Sequence, residues 1–283
     1  MNPILTKISA EYQHLTPTQR KIAEFLSHHL NDVLVLNVTQ LAEKARVSEA
    51  TISRLITRLG FAGFSDFKRE IGRLIVQDIS TTQKLSESAE TFESSSSVLS
   101  EILSGDIENI RTITADVSDA VFGKVVAKLS SARSIYVLGL RASYALSFYL
   151  AFNLRFFLKS VNLLKPGIGD IPEQILGIGE KDVLIAISFK RYTREVVNIT
   201  AKAKEKGAYL VAITNNQLSP IGQLADKSLI VKTVIPTYFE SYTAPMSLIN
   251  ALITAIALRK KKQAMPALNR LEKEFAKFGT YTA

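Results

Sequence analysis

The chain has 283 residues, 47% hydrophobic and 22% charged, and no cysteine, enough for one large domain or two ordinary ones and with no thiol for disulfides, nucleophiles or metal ligands, which fits a reducing cytoplasm. No run reaches the eighteen or so apolar residues of a membrane span, and MNPILTKISAEYQHL has no charged start followed by an apolar run, so neither a membrane partner nor a signal peptide is expected. The net charge of +9 invites a nucleic-acid reading, but its distribution weakens it: residues 1–77 carry 10 basic and 7 acidic side chains, while residues 259–283 carry 7 and 2.

Residues 1–77 read as an all-α domain. Thr16-Pro17 is a helix start, with threonine as N-cap and proline at the first helical position, and Ile22, Phe25, Leu26 and Leu30 follow at helical spacing. Val38 to Val47 forms a short helix with Leu41 and Ala45 on one face. Ser48 caps a second helix, Glu49 to Leu59, which Gly60 ends. Its Ile52, Leu55, Ile56 and Leu59 face the core, leaving Glu49, Ala50, Ser53, Arg54, Thr57 and Arg58 outward. Two short helices, a three-residue turn with a buried Val47 and a small Ala42 at the crossing make a helix-turn-helix.

The second helix suits a DNA major groove. Its start offers N–H groups and a positive dipole end to a phosphate. Ser48, Thr51 and Ser53 are short donors for the DNA backbone, Arg54 is spaced to reach a guanine edge, and Glu49 can accept from cytosine N4. Arg46 occupies a turn position where glycine is common, at a cost of about 1 kcal/mol if the backbone is left-handed, and offers a phosphate contact in return. The candidate DNA-binding set is Arg46, Ser48, Glu49, Ala50, Thr51, Ser53, Arg54 and Arg58. An αα-hairpin with a solvated outer face is the competing reading of the same pattern.

Residues 78–100, DISTTQKLSESAETFESSSSVLS, are rich in serine and threonine and read as a linker or a loosely packed helical connection. Helical spacing resumes through Leu103, Ile107 and Ile110, then Val121, Val125 and Leu129. From Ser134 the pattern becomes apolar strands, Ile135–Leu138, Val183–Ile187, Tyr209–Ile213 and Ser228–Val231, of the kind buried on both faces. An amphipathic helix from Thr193 to Lys206, ended by Gly207, joins the second to the third, which predicts a βαβ unit and a parallel sheet. A helix over Met246–Lys261 and a basic amphipathic one through Leu268, Leu271 and Phe275 complete a domain spanning 101–283. There is no internal repeat.

Several features carry less. His14, His28 and His29 have no carboxylate or cysteine cluster beside them, so no metal is expected. Gly177-Ile178-Gly179 lacks the continuation of a dinucleotide fingerprint, and no cofactor is expected. The run Arg259 to Lys262 reads as a solvated helix face.

The string from Val47 to Arg54, followed by Leu59-Gly60-Phe61-Ala62-Gly63-Phe64-Ser65-Asp66-Phe67-Lys68, resembles the DNA-binding domain of the RpiR (MurR) family of bacterial regulators. The LGFxGFxxFK continuation is the specific part. The region from about 130 to 260 is similar to a SIS (sugar isomerase) domain, the family's phosphosugar sensor. Three stretches carry that likeness: IYVLGLRAS from Ile135, IAISFKRYTREVV from Ile185 and AITNNQLSPIGQLAD from Ala212. The resemblance implies an all-α helix-turn-helix domain followed by an α/β three-layer SIS domain with a mainly parallel sheet, in a transcriptional regulator rather than an enzyme, with no catalytic residues.

SIS domains typically carry Ser-x-Ser-Gly-x-Thr in the second loop, whose hydroxyls and helix start cradle a phosphate. Ser188 and Thr193 are kept here, while Lys190 and Arg191 replace serine and glycine. In the first loop Gly139 and Ser143 are kept, while Arg141 replaces a glycine and Ala142 a serine. Glu240, in YFESYTAP, aligns with a glutamate near the ligand in many SIS domains. The candidate effector set is therefore Arg141, Ser143, Ser188, Lys190, Arg191, Thr193 and Glu240. Two readings stand: the cations serve a more acidic effector, a sugar acid or phosphosugar, or their bulk fills the site and leaves an oligomerisation module. A homo-oligomer, dimer or tetramer, is expected because a palindromic double-stranded operator needs two reading heads. The alternatives in other classes are a phosphosugar isomerase-like enzyme with an accessory N-terminal domain, and a helix-turn-helix that contacts only protein.

Overall fold

A computed structural model describes residues 3–33, 36–76, 81–92, 94–167 and 170–281. The side chains of His28, His29 and Leu30 lie outside the described residues, as do 78–80 and 93 of the serine-rich stretch. Contacts divide the chain into two units, Met1–Asp78 and Ile79–Ala283.

The first unit holds helices α1 (Pro3–Glu11), α2 (Pro17–Val33), α3 (Val38–Ala45), α4 (Glu49–Arg58) and α5 (Phe64–Val76), with a 3-10 turn at Tyr12–His14. Their starts are written in the sequence. Thr16 Oγ1 accepts from the Gln19 amide at 3.3 Å while Gln19 Oε1 accepts from the Thr16 amide at 3.1 Å, a reciprocal cap that satisfies two otherwise orphaned donors. Asn37 and Gln40 close α3 in the same way, at 2.8 and 2.9 Å. Leu41, Ile52, Leu55, Ile56 and Phe67 are fully buried in one core, and each such side chain contributes about 1.5–3 kcal/mol. Val47, which the sequence pattern buries, is only half-buried at the edge of that core.

The aromatic run after α4 folds around a left-handed glycine, Gly60, at φ 87°. It turns Phe61 back so that its ring meets Phe67 edge-on at 5.1 Å, while Asp66 Oδ2 accepts from the Ala62 amide at 3.0 Å and starts α5.

The second unit opens with α6 (Thr81–Thr91), α7 (Ser95–Asp116) and α8 (Asp119–Ser131). The serine-rich stretch is thus largely helical where it is described. Its serines are used locally: Ser94 Oγ accepts from the Ser97 amide at 3.2 Å and Ser97 Oγ accepts from the Ser94 amide at 3.0 Å. From there strands β1 (Ile135–Leu138), β2 (Val161–Leu164), β3 (Val183–Ile187), β4 (Tyr209–Thr214) and β5 (Lys227–Ile230) alternate with α9 (Tyr144–Arg155), α10 (Ile171–Gln174), α11 (Arg194–Glu205) and α12 (Pro220–Leu224). Helices α13 (Thr243–Arg259) and α14 (Lys261–Phe278) follow.

The sheet is parallel, in the order β2-β1-β3-β4-β5. Val137, Ile185 and Val211 face one way and pack with α8, α9 and α13, whereas Leu138, Leu184 and Leu210 face the other way onto α11 and α12. This is a three-layer α/β arrangement, and it explains the unbroken apolar strands. Strand β2 is not evident from the sequence; it is a four-residue edge strand with half-buried Asn162 and Leu163.

At the start of the sheet, Asp182 is fully buried and accepts from Arg133 Nε at 2.9 Å and from the Gly179 amide at 2.9 Å. The Arg133 guanidinium holds this carboxyl below its ordinary range. Gly177 and Gly179 serve this ion pair, since the Gly177 carbonyl also accepts from Arg133 at 3.1 Å.

Candidate functional site

Strand β1 crosses through α9 to β2 on one side, and β3 crosses through α11 to β4 on the other. The carboxyl ends of β1 and β3 therefore flank the point where the chain changes direction, where open parallel sheets bind ligands. A cavity of about 410 Å³ lies there, lined by the loop after β1, the loop after β3 and Tyr242. Six of the seven predicted effector residues line it: Arg141, Ser143, Ser188, Lys190, Arg191 and Thr193.

Glu240 does not line it. It borders a neighbouring groove with Asp106 and Ser241, takes a short hydrogen bond from Thr233 Oγ1 and pairs with Lys84 at 3.7 Å.

The loops keep a backbone suited to glycine while carrying arginine. Arg141 lies at φ 55° and Arg191 at φ 65°, a left-handed conformation that costs about 1–2 kcal/mol for a residue with a Cβ. Gly139 has no such latitude, because a Cβ there would stand 2.6 Å from the Ser143 carbonyl. Ser143 and Ser188 are buried, Lys190 and Thr193 are half-buried, and Arg141 and Arg191 are exposed at the mouth. Neither Ser143, at the start of α9, nor Thr193, at the start of α11, makes a side-chain cap. A 3-10 turn, Arg141–Ser143, runs directly into α9 and its carbonyls accept from the Tyr144 amide, so it is α11 that starts at the cavity with no side-chain oxygen of its own over its first amides, beside the four cations Arg141, Lys190, Arg191 and Arg194. That combination suits an anion.

Sequence reasoning missed two tyrosines, both inside the quoted motifs. The Tyr192 hydroxyl donates to Asn215 Oδ1 at 2.9 Å, and burial pushes its pKa up to about 12, with the charge of Glu240 adding to the shift. Tyr242 lays its ring 5.4 Å from that of Phe189 and its hydroxyl 3.1 Å from Ser143 Oγ; burial raises its pKa, and Glu240 again adds. Both phenols therefore stay protonated at neutral pH as hydrogen-bonding groups. The available signal was an aromatic beside each loop, which periodicity assigns to core. No cluster of His, Cys, Asp or Glu able to hold a metal occurs among the described residues.

In the first unit, Arg46 adopts the left-handed turn at φ 53°. Arg46, Ser48, Glu49, Ala50, Ser53, Arg54 and Arg58 are exposed and Thr51 is half-buried. Ser48 Oγ accepts from the Thr51 amide at 3.3 Å and lies 2.8 Å from Thr51 Oγ1, so both hydroxyls are engaged in capping α4. Arg54 Nε donates to the Ala50 carbonyl at 3.2 Å, folding back along its own helix. Arg58 pairs with Glu11 of α1 at 3.0 Å, which ties it to the scaffold. No described helix is long and apolar enough to cross a membrane.

Two stretches of the chain match family models. Residues 2–78 match the helix-turn-helix domain of the rpiR family, and residues 128–255 match the SIS domain. An uncharacterized HTH-type transcriptional regulator of Haemophilus influenzae is 26% identical over 80% of this chain and 79% of its own length. The HTH-type transcriptional regulator HexR of Pseudomonas aeruginosa is 23% identical over 96% of this chain and 95% of its own. Among solved structures, the sugar isomerase domain of an RpiR transcription factor from Sphaerobacter thermophilus has a TM-score of 0.58 at 24% identity, covering 61% of this chain and 96% of that one. The Vibrio vulnificus NanR protein complexed with ManNAc-6P has a TM-score of 0.58 at 18% identity, covering 96% of this chain and 98% of that one.

Proposed function

The chain belongs to the rpiR family of helix-turn-helix transcriptional regulators and carries a SIS domain, and from that premise we propose that it binds a double-stranded operator through α4 and tunes that binding with a small anionic sugar derivative, a phosphosugar or sugar acid, held between the loops after β1 and β3. It acts as a regulator in the cytoplasm and not as an enzyme, and it works as a homo-oligomer that brings two reading helices to two half-sites.

The observation that carries the effector reading is the start of α11, without a side-chain cap at Thr193, converging with Arg141, Lys190, Arg191 and Arg194 on one cavity. Cations at helix starts oppose the positive end of the dipole, and an anion between them removes the conflict. The ManNAc-6P bound by NanR is a ligand of this class. Against turnover, Glu240 is engaged by Thr233 and Lys84 beside the cavity rather than in its wall.

Titrating the protein with a panel of phosphosugars and sugar acids tests the ligand, and absence of binding at millimolar concentration refutes it. For the DNA half, Arg54→Ala should weaken operator binding by about 1–3 kcal/mol with the fold intact by circular dichroism. Binding that is unchanged, or that shows no salt dependence, assigns the helix-turn-helix to another partner.

A further inference from the structure

A segment outside the two phosphate-type loops connects the cavity to the first helices of the second unit. The strap from Thr233 to Thr243 runs between β5 and α13 and delivers Tyr242 into the cavity, against Phe189 and Ser143. Both neighbours of Tyr242 are held by a single carboxylate of α7: Ser241 Oγ makes a short hydrogen bond to Asp106, and Thr243 Oγ1 donates to the other oxygen of Asp106 at 2.8 Å. One residue further back, Glu240 pairs with Lys84 of α6 at 3.7 Å, with the two side chains 17% and 18% exposed. That burial separates the pair from ordinary surface ion pairs, which solvent screens to little net effect. At the other end of the strap, Asn109 Nδ2 donates to the Val234 carbonyl at 2.9 Å. Gly105 faces Ile235 so closely that a Cβ would stand 3.1 Å from its Cγ2.

Tyr242 therefore cannot shift without disturbing contacts on α7, and Glu240 cannot shift without disturbing α6. An anion entering beside Tyr242 also puts a second negative charge on the cavity side of Glu240, whose field already reaches both cavity tyrosines. Like charges repel, and this favours a firmer pairing of Glu240 with Lys84.

We propose that the strap 233–243 is the element through which the cavity reports its occupancy. Asp106, Glu240 and Lys84 are positioning residues that act through Tyr242, and an anion in the cavity tightens α6 and α7 against the strap. Helix α6 follows the DNA-binding unit in the chain, so a ligand that changes its order changes what that unit is tethered to. The ligand in this inference rests on the effector reading above; the mechanical link does not.

Hydrogen exchange on the full chain tests it, comparing wild type with Asp106→Ala, Lys84→Met and Tyr242→Phe, free and with millimolar glucose 6-phosphate or inorganic phosphate. Without ligand, Asp106→Ala should speed exchange about threefold or more both in residues 81–91 and in the cavity loop 139–144, as expected when one opening unit spans both. With the sugar phosphate, wild type should slow at 188–194 and at 81–91. Lys84→Met should keep the first effect and lose the second, and Tyr242→Phe should reduce the second more than the first. Acceleration in Asp106→Ala confined to its own turns of α7 overturns the proposal, as does protection at 188–194 in wild type with none at 81–91. Protection at neither place by either probe counts against the effector reading instead, and the ligand-free comparison still decides the strap.

Discussion

Helices α4 and α11 both begin after a hydroxyl residue and use it in opposite ways. Ser48 turns its oxygen onto the Thr51 amide and closes the start of α4, whereas Thr193 makes no such bond at the start of α11. A capped start is satisfied by its own side chain, and one without a side-chain cap leaves its donors to something else. The difference separates two kinds of helix start in one chain. The helix-turn-helix presents side chains from a closed, rigid helix, while the cavity presents main-chain donors and cations from loops.

The largest test of that separation is Leu55→Ala. Leu55 is fully buried, so truncation should cost about 2–5 kcal/mol and lower the unfolding transition of the first unit in urea. Joint loss of both units' signals would show that they do not unfold apart. Next, Lys190→Glu should weaken phosphosugar binding about tenfold to a hundredfold, because a charged hydrogen bond contributes about 1.5–3 kcal/mol. Calorimetry reads this directly, and ligand-free operator binding should not change. A direct comparison of caps comes third: Ser48→Ala should cost about 1 kcal/mol, and Thr193→Ala less than about 0.5 kcal/mol while still weakening the ligand. Equal costs in denaturant would erase the distinction. The smallest effect is Arg191→Gly, where relief of about 1–2 kcal/mol of backbone strain is partly offset by about 0.5–1 kcal/mol of glycine entropy. A slight gain in melting temperature with weaker ligand binding is expected, and a loss would contradict the strain.

Much of the fold was legible because local chemistry and the global pattern agree. Thr16-Pro17, Ser48 and Gly60 mark helix ends by mechanism, and the apolar runs at Ile135 and Val183 coincide with the strands observed. Strand β2 escaped because Val161–Leu164 is short, lies at the sheet edge and follows the apolar stretch of α9. Six effector candidates converge on the cavity because they belong to two loops adjacent in the sheet. Glu240 sits beside it instead, since the strap's contacts to Asp106 and Lys84 join residues more than a hundred positions apart. No spacing rule brings such pairs together. The serine-rich stretch, read as a linker or a helical connection, is helical where it is described, and two of its serines cap α7.

The left-handed arginines have a further consequence. Arg46, Arg141 and Arg191 hold a main-chain shape that glycine holds without strain, so that shape is enforced by the surrounding loop and not by the residue itself. Codons for glycine and arginine can differ by a single base. A cavity framed this way can acquire or shed a positive charge in one mutational step while its main chain keeps its shape.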